Sequence, residues 1–149
     1  MIQNQTITEP LIKEVVLDAS IPRVWKAITN KDDLSKWSFE MKEFKPEVGF
    51  EFQFYGDKDG VKFLHLCKVV EVVKEKKIKW LWTYKDVKGD TFVTFELFPE
   101  GEKTRLRLTH EGLENLPQDE NYAKHNFEEG WNSLLHSSLK NYLEKENKE

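Results

Sequence analysis

The stretch from Asp119 to Glu146, DENYAKHNFEEGWNSLLHSSLKNYLEKE, constrains the fold more than any other part of the chain. Apolar residues recur at Phe127, Trp131, Leu134, Leu135 and Tyr142; Leu139 and Leu143 widen the stripe, and the small Ser138 permits close packing. Lys, Glu and Asn occupy much of the opposite face, so the spacing predicts an amphipathic helix. At about 1.5 Å per residue it would run roughly 30–40 Å. Such a helix draws most of its stability from packing its apolar face. What precedes it is mostly strand-like, so the partner it requires is a sheet.

The strands follow one another at short intervals. Leu11 to Ala19 reads as the first, with Leu11, Val15, Leu17 and Ala19 on the better core face and Lys13 as the exception. Ser20 opens a short helix with Pro22 in its first turn, where a missing N–H costs little. Val24, Trp25, Ala27 and Ile28 form its buried side. A second short helix is expected over Lys31 to Lys36, capped by Asn30 and anchored by Leu34 and Trp37. Glu40 to Lys45 is a weak strand candidate. Phe50, Phe52 and Phe54 alternate with polar partners in a half-buried strand. GDKDG, Gly56 to Gly60, makes a turn. Val61 to Val73 is a long strand whose parity slips at Val69 and Val70, the mark of a bulge. Ile78, Trp80, Trp82 and Tyr84 alternate with Lys79, Leu81 and Thr83. Asp86 to Asp90 is expected to turn at Gly89. Thr91 to Phe98 and Thr104 to His110 form the last pair, with Arg105 and Arg107 facing water. The repeated short connections predict an antiparallel meander.

The 149 residues suit one domain, 1–149, and residues 1–9 are polar enough to be loose or a short edge extension. A hydrophobic fraction of 38% argues against disorder. The net charge of −4 disfavours nucleic acid as the main partner, because phosphate binding needs a concentrated basic surface. No run of 18 apolar residues exists to span a membrane, and MIQNQTITEP lacks the regions of a signal peptide. Cys67 is the single cysteine, so an internal disulfide is excluded and the cytoplasm is the simplest location.

Ten Phe, five Trp and four Tyr must either fill a core or line a hollow. A curved sheet around one long helix meets it at the ends and can diverge from it in the middle. The candidate lining residues are Trp37, Phe52, Phe54, His65, Trp80, Trp82, Phe95, His110, Phe127 and Trp131. Aromatic walls with one or two placed polar groups describe a small-molecule site. Aromatics at period 2 and at helical spacing equally describe a plain core.

Read in order, these residues resemble a known pattern. Ser20, Ile21, Pro22, Val24, Trp25, Ala27, Ile28 and Thr29 resemble the opening stretch of the AHSA1-like (activator of Hsp90 ATPase homologue 1-like) group, within the START/Bet v 1-like or SRPBCC superfamily. Leu34 and Trp37 resemble its next helix. Gly49, Phe50 and Phe52 resemble its Gly-Gly-x-Phe strand, although Val48 stands at the first glycine. Val69, Glu71, Val72, Ile78 and Trp82 resemble its central hairpin. Thr94, Phe95, Thr104, Arg105, Leu106, Leu108, Thr109, His110 and Gly112 resemble its penultimate strands, and Gly130, Trp131 and Leu135 its final helix. The resemblance covers nearly the whole chain. It implies an α+β helix-grip fold: a curved six- to seven-stranded antiparallel sheet with two short helices, gripping one long C-terminal helix around a cavity. It also implies a scaffold for a hydrophobic ligand; some members are cyclases or hydrolases, and some eukaryotic relatives stimulate the Hsp90 ATPase.

No motif declares a reaction. His125 and His136 are eleven residues apart on the long helix, too far for a helical metal pair, and HExxH, CxxC, GxSxG, Walker A and GxGxxG are all absent. A lone strand cysteine such as Cys67 is more often an apolar filler than a nucleophile. His110 shares parity with Leu106 and Leu108, which favours a hydrogen-bonded core histidine over a ligand contact. Gly130 in mid-helix costs roughly 1 kcal/mol against alanine and either relieves packing or admits an aromatic or ligand beside Trp131. No catalytic residue, metal or cofactor is therefore assigned, and an enzyme is the less favoured reading. The leading expectation is a carrier or sensor of a small hydrophobic or aromatic ligand, oriented by His65, His110, Tyr84 or Trp82. The alternatives are a chaperone-associated interaction module with a protein partner, and a cyclase- or hydrolase-type enzyme. The chain is expected to be a monomer or homodimer, without stable membrane insertion.

Overall fold

The computed structural model describes residues 9–58 and 60–147. The expected looseness of residues 1–9 falls almost wholly outside them. Six strands, β1 (Leu11–Leu17), β2 (Glu51–Lys58), β3 (Val61–Val73), β4 (Lys77–Tyr84), β5 (Val87–Glu100) and β6 (Lys103–Glu111), form one antiparallel sheet in the order β1-β6-β5-β4-β3-β2. β2 to β6 are a meander, and β1 closes onto β6 with Leu11 opposite His110 and Leu17 opposite Thr104. The alternation within each strand sorts the side chains. Leu11, Val15 and Leu17 face the core while Ile12 and Val16 face out, and β4 buries every second residue from Ile78 to Tyr84. On the outer face Glu14 accepts from both Arg105 Nη1 (3.0 Å) and Arg107 Nε (2.7 Å).

The helices begin where their caps place them. The Ser20 hydroxyl accepts the Arg23 N–H at the start of α1 (Ile21–Thr29), and the Asn30 side chain accepts the Asp33 N–H at the start of α2 (Lys31–Trp37). Trp37 is locked by its indole N–H donating to the Ala27 carbonyl at 2.8 Å. The register of β3 on β4 shifts between Val69 and Glu71, the bulge that the parity slip foretold.

Four expectations are corrected. Glu40 to Lys45 is not a strand: Met41 and Phe44 both turn into the core, and the Met41 N–H is taken by the Ser35 hydroxyl at 3.1 Å instead of by a neighbouring strand. The β4–β5 turn lies at Lys85–Asp86, with Asp86 at φ +61°, and not at Gly89. Gly89 instead sits inside β5 at φ +129°, where a Cβ would come within 2.4 Å of the Asn115 carbonyl oxygen. The long helix starts at Lys124, after a 3₁₀ turn over Glu120–Tyr122 that Asp119 caps. It is also not uniformly α-helical: α3 (Lys124–Asn132) passes into a π-helical segment (Ser133–Leu139) and then α4 (Lys140–Asn147).

That π segment has a physical reason in the spacing of the core residues. Phe127, Trp131, Leu135, Leu139 and Leu143 stand four apart and all pack on the sheet side. At 3.6 residues per turn each step of four drifts by about 40° around a helix. The wider π turn reduces that drift and keeps Leu135, Leu139 and Leu143 on one face.

The helix pair is fastened to α4 through a buried carboxylate. Asp33 accepts from Arg23 Nη2 at 3.2 Å and from the Tyr142 hydroxyl, and the Arg23 guanidinium lies over the Tyr142 ring at 5.5 Å. Removing the carboxylate strips an acceptor from both partners in a mostly dry site. Asp33→Ala is expected to destabilise the fold by about 2 kcal/mol or more, read as a lowered urea midpoint, whereas an unchanged midpoint would show the cluster to be incidental.

Candidate functional site

The sheet and the final helix part company at one end. There a cavity of about 330 Å³ opens between β2–β4 and α3. Its sheet wall is Gly56, Asp57, Phe63, His65, Trp82 and Tyr84; its helical wall is Asn126, Phe127, Gly130, Trp131, Ser133 and Leu134. Phe39, after α2, and Asn121 and Tyr122, from the 3₁₀ turn, complete it. The volume is at the lower end of what holds a small organic ligand.

The wall is aromatic and ordered by stacking. Phe39 stacks on Phe54 with ring centroids 4.4 Å apart, and Phe54 stacks on His65 at 4.6 Å. Trp82 meets His65 in a T-shaped contact at 4.9 Å and leans on Trp131 at 5.5 Å. Tyr84 meets Tyr122 at 5.2 Å. Gly56 leaves the space His65 needs, since a Cβ there would lie 2.7 Å from His65 Cε1. Gly130 behaves differently: a Cβ at that position meets nothing within 4 Å. The missing side chain of the helix is therefore open space beside the cavity.

Of the ten residues singled out in the sequence, His65, Trp82, Phe127 and Trp131 lie in this wall. Phe54 backs it, stacked behind Phe39 and His65. Trp37, Phe52, Trp80, Phe95 and His110 lie outside it. Phe52, Trp80 and Phe95 pack with Phe44 in a solid aromatic cluster, with successive centroids 4.9–5.1 Å apart. Several wall residues were not singled out. Phe63 and Gly56 follow from parity, because they continue the inward series of His65 and Phe54. Phe39 and Tyr122 sit in irregular segments where no period points to them.

His110 is wholly buried, and its ring is used on both sides. Thr91 Oγ1 donates to the Trp82 carbonyl at 2.7 Å, so its oxygen accepts from His110 Nε2–H at 2.9 Å. Nδ1 is then the lone-pair side, and it accepts the Trp131 indole N–H at 3.2 Å. This chain of bonds fits only the neutral imidazole with its proton on Nε2. It fixes Trp131 from behind and leaves His110 nothing to offer a ligand.

His65 differs. Nδ1 donates to the Phe63 carbonyl at 3.0 Å, and Nε2 has no hydrogen-bond partner among the described residues. Tyr84 Oη accepts the Trp82 indole N–H at 3.0 Å, and its own proton has no acceptor there. Burial raises the Tyr84 phenol and the Cys67 thiol well above their ordinary values, so both are neutral and Cys67, itself buried, is no nucleophile. Among the described residues no three His, Cys, Asp or Glu side chains converge as metal ligands, and no helix is long and apolar enough to cross a membrane.

Burial holds His65 at about 4, with the Phe63 and Phe54 carbonyls partly opposing it. It holds His110 at about 3, with His65 acting in the same direction. Unfolded, both would titrate near 6.5. Their neutral burial therefore supports the fold fully above about pH 6.5. That support is lost as pH falls toward 4, because the unfolded chain takes up protons the native state refuses. The loss approaches about 1.4 kcal/mol per pH unit for each histidine. Urea melts are expected to show stability falling between pH 6.5 and 5, with a shallower fall in His65→Phe; a flat profile would contradict the neutral assignment.

The geometry can be set beside known proteins. Residues 18–144 match the sequence profile of the family described as activator of Hsp90 ATPase homolog 1-like protein. No curated protein matches the chain. Solved structures with the same fold include protein CV1439 from Chromobacterium violaceum, at 22% identity and a TM-score of 0.76 over 93% of this chain and 99% of that one. MLL2253 from Mesorhizobium loti is 23% identical, with a TM-score of 0.76 over 92% and 98%. NE0264 from Nitrosomonas europaea is 24% identical, with a TM-score of 0.74 over 97% and 100%. At these identities the structures speak for the helix-grip fold alone. The profile match spans most of the chain, and the chain belongs to the activator of Hsp90 ATPase homologue 1-like family within the SRPBCC superfamily.

Proposed function

We propose that the chain is a non-enzymatic binder of a small apolar or aromatic molecule, held between the sheet and α3 as a carrier or sensor. The observation that carries this reading is the cavity itself, an aromatic-walled hollow at the one place where the helix lacks a side chain. Burial of apolar ligand surface, worth about 25 cal/mol per Å², would drive association after ordering costs are met. The family match supports the non-enzymatic part.

The neutral fluorescent probe N-phenyl-1-naphthylamine tests the reading. It is expected to bind with one-to-one stoichiometry and a Kd on the order of micromolar. Gly130→Leu should project into the cavity, reduce probe affinity about tenfold, and leave the fold as stable as before or more so, since glycine is the poorer helix former. Equal binding by wild type and Gly130→Leu would place the probe elsewhere, and no binding at all would remove the reading.

A second reading has direct support from the comparisons, more than the first has: the family description names an activator of an Hsp90 ATPase. A chaperone-linked role would use the outer surface, where Tyr55 on the edge strand β2 and Val61 at the next strand are both exposed. The ATPase rate of an Hsp90-type chaperone, measured with and without this chain, tests it. Stimulation that Tyr55→Lys abolishes and Gly130→Leu does not would favour the surface over the cavity.

A further inference from the structure

In the cavity wall His65 and Tyr84 each keep one hydrogen-bonding valence with no partner among the described residues, and the two are of opposite kind. His65 gives its Nδ1 proton to the Phe63 carbonyl, so Nε2 is a lone-pair acceptor. Tyr84 already accepts the Trp82 indole N–H, so the phenol proton is turned away from that bond and is a donor in search of an acceptor. Both residues line the cavity, both are more than nine-tenths buried, and their rings stand 4.6 Å apart. A single hydroxyl group can satisfy both, giving its proton to one and its lone pair to the other. A buried polar group left unpaired is costly, so such a pair selects for the ligand that completes it.

Charge narrows the choice further. Among the described residues the cavity wall has no Lys or Arg, and its one acidic side chain is Asp57. Burial keeps the His65 imidazole uncharged at neutral pH. A carboxylate, sulfate or phosphate would meet no cation from those residues. Shape narrows it again: Phe39, Phe63, Tyr122, Phe127 and Trp131 offer ring faces and edges to a flat guest, in a space suited to a small ring system.

We infer that the cavity is selective for an uncharged aromatic alcohol of phenol or naphthol type, whose hydroxyl donates to His65 Nε2 and accepts from the Tyr84 hydroxyl. This rests on the ligand-binding reading above and gives it a chemical class. Fatty acids and aryl carboxylates are disfavoured guests, and plain hydrocarbons leave both polar groups unpaired.

Calorimetric titration of the full chain at pH 7 with 2-naphthol, 2-methylnaphthalene and 2-naphthoate tests the inference. The three share one ring system and differ only in the group at issue. The expected order has 2-naphthol about tenfold tighter than 2-methylnaphthalene, the scale of two net hydrogen bonds, with 2-naphthoate at least about tenfold weaker than 2-naphthol. In Tyr84→Phe and in His65→Phe the preference for 2-naphthol over 2-methylnaphthalene is expected to shrink toward unity. If 2-methylnaphthalene binds as tightly as 2-naphthol, or 2-naphthoate binds best, the inference is overturned while ligand binding stands. If none of the three binds, both are overturned. Should either variant fail to fold, the ranking on the wild-type chain still decides.

Discussion

The final helix is held to the sheet by a histidine that has no exposed surface. His110 receives the Trp131 indole proton on one nitrogen and gives its own proton to Thr91 on the other, and Thr91 in turn bonds the Trp82 carbonyl. Three strands, β4, β5 and β6, thereby hold one residue of α3. Hydrophobic packing alone is non-directional and tolerates small rotations of a helix over a sheet. A donor–acceptor chain with one consistent proton assignment does not, because each bond requires the next. The relay therefore sets the rotation of α3, and with it which residues of that helix face the cavity. It also explains why a polar residue stands on the most buried strand face: its role is to orient Trp131, with no part reaching the cavity.

Below Trp131 the helix must stay in contact with the sheet for three further turns. The apolar ladder continues in steps of four, through Leu135, Leu139 and Leu143. A uniform α-helix would rotate those side chains progressively off the sheet, and the π-helical turns over Ser133–Leu139 take up the difference. The lower part of the helix is thus solidly packed, and Asp33 fastens its end to α1 and α2 through Arg23 and Tyr142. Orientation is set at the top by His110 and at the bottom by Asp33.

The legible and illegible parts of this arrangement divide along physical lines. Strands, the bulge at Val69, the two capped helices and the inward parity of β4 were readable because period 2, cap residues and burial act locally. The family pattern, from Ser20 to Leu135, then supplied how the pieces close. The π turn was written in the four-residue ladder from Phe127 to Leu143, but an apolar stripe is usually scored only for being helical, and its drift is overlooked. Phe39 and Tyr122 could not be found, since loop side chains enter a cavity by tertiary placement and follow no period. Nor could parity divide the aromatics between wall and core. Trp80 and Trp82 share a face, yet Trp80 meets Phe44, Phe52 and Phe95 while Trp82 borders the cavity.

That division has a cause in the loop after α2. Met41 and Phe44 fold inward there, and Phe44 fills the space over Phe52 and Trp80 with volume that a strand at Glu40 to Lys45 would have spread along an edge. At the opposite end Phe39 of the same loop stacks on Phe54 and borders the hollow without filling it. Gly56 on the sheet gives its room to His65, and Gly130 on the helix presents no side chain at all. Close packing is the ordinary state of an interior lined by side chains this large. A hollow persists here because the residues that would fill it are absent from both walls, while the relay through His110 prevents the helix from rotating to close it.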